Sequence, residues 1–135
     1  SNISSTGELQ QAAEALAEKV DAIFVPNDNS IASAMPIYLQ VASEAGLPVY
    51  VGADSMVADG GLATVGIDYT VLGRQTARMA ARILEGETVA DNPVEQVAEY
   101  ARMINLDTAA SLGIDLPQQL TEQFTVMKSP TQNQD

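Results

Sequence analysis

The sequence predicts an α/β fold in which a mostly parallel sheet is flanked by helices. Two observations carry that prediction. Short apolar, β-branched runs alternate with longer stretches of helical periodicity, the pattern of βα units covered on both faces. The chain is also 46% hydrophobic with only four Tyr, two Phe and no Trp, so Ala, Val, Ile and Leu must fill the core. Small aliphatic side chains suit helices lying close on a sheet. At 135 residues there is chain for one core and not for two ordinary ones.

The elements follow in order. Ser5-Thr6-Gly7-Glu8 matches a capping box, and Leu9, Ala12, Ala13, Leu16 and Ala17 behind it form the stripe of a core-facing helix. Val20 to Pro26 reads as a buried parallel strand, broken by Asn27-Asp28-Asn29-Ser30. A second helix is expected from about Ser30 to Ala45, stopping at Gly46 and kinked or weakened by Pro36. Its Met35, Leu39, Val41 and Ala42 read as core. Pro48 to Ala53 is the next strand, with Asp54-Ser55 as the turn that leaves it. Leu62 to Ile67 is the third. Asp68 then caps a long helix through Leu84, ended by Gly86, with Tyr69, Leu72, Thr76, Met79, Ala80 and Ile83 as its apolar stripe. Gly73 on that helix reads as a close packing contact. Ala98 to Asn105 suggests a further strand, Thr108 to Leu112 a short helical turn, and Leu116, Leu120 and Phe124 a small amphipathic helix with Pro117 in its first turn. Residues 129–135 are polar and read as a disordered tail.

Composition removes several classes of function. Eighteen acidic residues against six basic ones give a net charge of -12, which repels nucleic acid and anionic lipid surfaces. Arg74, Arg78 and Arg82 recur every fourth residue and read as one solvated helix face. Without His or Cys, the usual general base and thiol nucleophile are missing, and no phosphate-binding or nucleophile-elbow motif occurs. These features point away from an enzyme and imply no cofactor. An oxygen-ligated Mg²⁺ site built from Asp28, Asp54, Asp59 and Asp68 is the one catalytic alternative the residues leave. No apolar run reaches the roughly 20 residues of a membrane span, and Ser1-Asn2, directly before a helix start, reads as a cut boundary, with which a targeting signal could have been lost.

Ligands of open parallel sheets bind beyond the carboxyl ends of the strands. Three polar clusters fall there: Asn27-Asp28-Asn29-Ser30, Asp54-Ser55 and Asp68-Tyr69. Helix-start amides, with the Asn29 and Ser30 side chains, would receive a ligand carboxylate, and Asp28 or Asp54 would take an ammonium. The same residue types are favoured at caps and turns whatever the function. Both readings stand on the residues alone.

The strings GELQQAAEALAEKVDAIFVPNDNSIASAMP, LPVYVGADSMVADGGLATVGIDYTVLGRQTARMAARILEGE and INLDTAASLGIDLP span most of residues 7–117. They resemble the C-terminal part of the tryptophan/tyrosine-type ABC-transporter substrate-binding proteins, which have the type I periplasmic-binding fold. The resemblance implies an extracytoplasmic, two-lobed protein that closes on an amino acid, aromatic ones among the candidates, and hands it to a membrane permease. It implies that residues 1–128 form the C-terminal lobe, and that the helix over residues 69–85 packs on a missing N-terminal lobe or a homodimer partner. By position it assigns Asp28, Asn29 and Ser30 to the first binding loop, Asp54 and Ser55 to the second, and Asp68 to the hinge-proximal turn. Repressor-type regulators share the fold, so an effector-sensing domain is the alternative within it.

Overall fold

The computed structural model describes residues 6–128. Five strands form one sheet in the order β1 (Ile23–Val25), β2 (Val49–Val51), β3 (Ala63–Ile67), β4 (Tyr100–Asn105) and β5 (Thr125–Met127). The first three run parallel, β4 is antiparallel to β3, and β5 is parallel to β4. The sheet is thus mostly parallel and flanked by helices.

Alternation along the strands sorts its two faces. On one, Ile23, Val25, Val49, Val51 and Ala53 are buried against Met35, Ala42, Met56 and Val57. Those come from helix α3 (Met35–Glu44) and helix α4 (Asp54–Ala58). Each large aliphatic side chain so removed from water contributes roughly 1.5–3 kcal/mol. The other face is covered only toward β3 and β4. There Leu62, Ala63 and Ile104 meet Ala109 of helix α6 (Leu106–Ser111) and Ile114, Leu116, Leu120 and Phe124 around helix α7 (Gln118–Gln123). Phe24, Tyr50 and Val65 stay exposed on that face, at 68%, 44% and 64%. The expectation of helices over both faces therefore holds for the second face only in part.

Local chemistry explains where other expectations shift. The helix expected from Ser30 to Ala45 is two helices, α2 (Asn29–Ala32) and α3, because Pro36 sits in the first turn of α3, where its missing amide costs nothing. Asp54-Ser55 is not a turn but the start of α4. Five residues are too few to show helical periodicity. Pro117 is the N-cap of α7, one residue ahead of its first turn. The short β5 had no expectation. Helix α1 (Thr6–Ala17) buries Ala13, whereas Ala12 is exposed and Leu16 is 44% exposed, so its stripe is narrower than its spacing suggests. The Ser5 cap, the Leu9 side chain and the tail over residues 129–135 lie outside the described residues.

Helix α5 (Tyr69–Leu84) buries no residue at all. Tyr69, Thr76, Ala80 and Ile83 of its expected stripe are exposed, and Leu72 and Met79 only half-buried. Its cover is the segment leading into β4, held by polar bonds. Gln75 Nε2 donates to Glu95 and to the Gln96 carbonyl, and Arg82 donates to Asn92 and to Glu95 at 2.6 Å. Arg82 is therefore not on a solvated face with Arg74 and Arg78. A Cβ added at Gly73 meets nothing within 4 Å, so the close contact expected there is not made among the described residues. Among the described residues, no helix is long and apolar enough to cross a membrane.

Candidate functional site at the carboxyl ends of three parallel strands

Because β1, β2 and β3 are parallel, the loops that leave them open at one edge of the sheet. The backbone stitches that edge together. Gly52 N donates to the Val25 carbonyl at 3.1 Å, and Ile67 N donates to the Gly52 carbonyl at 3.0 Å. A bridge pairs Ala53 with Ile67. Two glycines make the approach close enough. A Cβ on Gly52 would lie 2.8 Å from the Asn27 backbone nitrogen, and one on Gly66 would overlap the Gly52 carbonyl. Each stands two residues before an aspartate, in Gly52-Ala53-Asp54 and Gly66-Ile67-Asp68.

All three aspartates act first on their own helices. Asp28 caps α2, its Oδ1 accepting from Ser30 N at 2.8 Å and Ile31 N at 3.2 Å. Asp68 caps α5, accepting from Val71 N at 2.9 Å. Asp54 opens α4 and accepts from Ser55 N at 2.8 Å. In each case one carboxylate oxygen is spent and the other makes no hydrogen bond with the described residues.

This corrects one expectation. Two of the amides at the start of α2, those of Ser30 and Ile31, are not free to receive a ligand carboxylate, because the Asp28 side chain already occupies them. With α2 only four residues long, little helix dipole remains to attract an anion. The Asn29 and Ser30 side chains stay exposed at the loop, as does Ser55. Asp59 lies at the far end of α4 as its C-cap, away from the other three acids. No group of three or more His, Cys, Asp or Glu among the described residues is placed to hold a metal ion.

The sequence reading named Asn27 and Tyr69 among the polar clusters but missed the bond between them and the role of two glycines. Tyr69 Oη donates to Asn27 Oδ1 at 2.9 Å, joining the first loop to the third across 42 positions of sequence. No local pattern signals a bond of that span. The paired G-x-D strings, by contrast, were visible and could have marked Gly52 and Gly66.

Chemically, the edge carries three aspartates, each with an unspent oxygen, which favours a cationic group such as an ammonium. The adjoining Asn and Ser side chains add neutral donors.

Comparison with known proteins bears on the family and the fold. Residues 1–128 match the family model described as ABC transporter substrate binding protein. A tyrosine-binding protein of Clostridioides difficile (strain R20291) is 41% identical over 110 residues, covering 82% of this chain and 32% of that protein. Among solved structures, an ABC domain in complex with L-Trp from Streptococcus pneumonia is 36% identical with a TM-score of 0.81, covering 92% of this chain and 42% of the other. A ligand-free, open substrate-binding protein with adhesive properties from Clostridium difficile is 35% identical with a TM-score of 0.74, over 96% and 43%. The chain spans about a third of the length of the curated relative it matches and about two fifths of the solved ones.

Proposed function

The chain belongs to the family of ABC transporter substrate-binding proteins, and from that premise we propose that it forms one wall of an interlobe cleft that binds an amino acid. Its role is binding without turnover. The observation that carries this is the edge where Asp28, Asp54 and Asp68 each offer an unspent oxygen beside Asn27, Asn29, Ser30 and Ser55. Such an edge recognises the ammonium group. The relatives named for tyrosine and solved with L-Trp support an aromatic amino acid as the ligand.

In this reading residues 1–128 are the C-terminal lobe of a protein working outside the cytoplasm. The opposing lobe comes from the rest of the polypeptide or from a second copy, and its natural seat is α5, where Tyr69, Ile83 and Leu84 stand exposed. The closed protein delivers its ligand to the permease of an ABC transporter.

A thermal-shift screen of the full-length protein against the twenty amino acids and a set of sugars tests this. A ligand binding only the folded state adds about 2.7 kcal/mol at a hundredfold excess over its Kd. The expected result is a selective shift with L-tyrosine or L-tryptophan that Asp28→Ala and Asp54→Ala diminish, each read against that variant's own ligand-free melting point, since Asp28→Ala also loses the α2 cap, worth about 0.5–2 kcal/mol. A shift with sugars alone, or full amino-acid shifts in both variants, would overturn the reading.

A further inference from the structure

We propose that Asn27 is a specificity-determining residue of the cleft, presenting its Nδ2 protons to the ligand carboxylate, and that Tyr69 is the positioning residue that orients it. This rests on the amino-acid-binding reading above and assigns the half of a zwitterion that the aspartates cannot take. Of the helix-start amides at the edge, those of Ser30 and Ile31 are spent on Asp28 and that of Val71 on Asp68, which leaves only the first amides of α2 and α5 beside the carboxylates. A carboxylate entering beside three aspartates needs a neutral donor whose direction is already set. Asn27 is held from two sides. Its backbone nitrogen and Cβ fill the space where Gly52 would carry a side chain, and its Oδ1 accepts the Tyr69 hydroxyl at 2.9 Å. A carboxamide has one acceptor end and one donor end, so committing Oδ1 to Tyr69 fixes where the Nδ2 protons point. Nδ2 itself makes no hydrogen bond among the described residues. Asn29 and Ser30 offer donors in the same loop without such anchoring of their side chains. A donor ordered before the ligand arrives spends less of the binding energy on its own immobilisation. Tyr69 also begins the helix on which the opposing lobe is proposed to sit, so lobe position and donor orientation share one residue.

The test is calorimetric titration of the full-length protein with L-tryptophan and L-tyrosine, using whichever binds the wild type more tightly. Asn27→Ala keeps the Cβ that packs on Gly52 and removes the amide. It is expected to weaken binding about tenfold, the scale of one hydrogen bond to a charged group. Tyr69→Phe keeps the ring and is expected to weaken binding a few-fold. If Tyr69 acts through Asn27, the double variant binds no more weakly than Asn27→Ala alone. Asn27→Asp supplies the sign: beside a carboxylate it weakens binding more than alanine does, and beside an ammonium it tightens it. A wild type that binds neither amino acid overturns the function itself. A wild type that binds, with Asn27→Ala within twofold of it, fully additive losses in the double variant, or tighter binding by Asn27→Asp, overturns this assignment alone.

Discussion

Two glycines of similar sequence context have opposite structural weight. A methyl on Gly66 must push the Gly52 carbonyl and the Thr64 hydroxyl, and that hydroxyl is committed to the Val51 carbonyl at 2.6 Å inside the sheet. Overpacking of this kind typically costs 1–3 kcal/mol, so Gly66→Ala should lower the unfolding free energy by about 2 kcal/mol and the denaturant midpoint with it. Gly73 lies in α5 with open space around it. Gly73→Ala should raise stability by about 0.5–1 kcal/mol, the difference in helix propensity. Chemical denaturation of both variants checks the pair, and a stabilising Gly66→Ala would contradict the close approach of the strand ends. Glu95 gives a residue-level pH prediction. The Gln75 amide first, and the Arg82 guanidinium next, hold its carboxyl below the ordinary range. A group depressed in the folded state contributes stability above its unfolded pKa and loses it as pH falls through the folded value. An NMR titration should therefore place Glu95 below a free glutamate, and Gln75→Ala should move it back up. Glu95 lies at the surface, so its share of stability is small.

Among the elements, α5 and the β1–β3 layer differ in what holds them. The strands and α3 share a buried aliphatic core. Helix α5 buries nothing and is tied by Gln75 and Arg82 to the segment before β4. Hydrogen exchange should show α5 amides opening well before those of β1 and β2, since local stability follows buried apolar contact. Equal protection would contradict that contrast. The same contrast explains what could be read from sequence. Strands β1 to β3 announced themselves as β-branched runs, and Asp68 marked the start of α5 as a cap. The polar partners of Arg82 and Gln75 were hidden, because they depend on how a loop with no periodicity folds back. Helix α4 and strand β5 were too short for any period to register. Pro36 was visible, but whether it kinks one helix or starts another is decided by the packing of Met35 into the core.

For the molecule as a whole, topology does what no single motif can. Parallel strands deliver Asp28, Asp54 and Asp68 to one edge, and that part of the site was legible because each follows an apolar run. The linkage between the loops was not, since Tyr69 and Asn27 meet only once the sheet has formed. The charge of -12 fits a surface that recruits a cationic group and repels phosphate backbones. The most direct test of the account is titration of the full-length protein with L-tryptophan and with indole-3-propionate, which keeps the ring and the carboxylate but lacks the ammonium. The aspartate edge predicts that losing the ammonium costs a charged hydrogen bond, roughly 1.5–3 kcal/mol, or about tenfold to over a hundredfold in Kd. Equal affinity for the two compounds would contradict it.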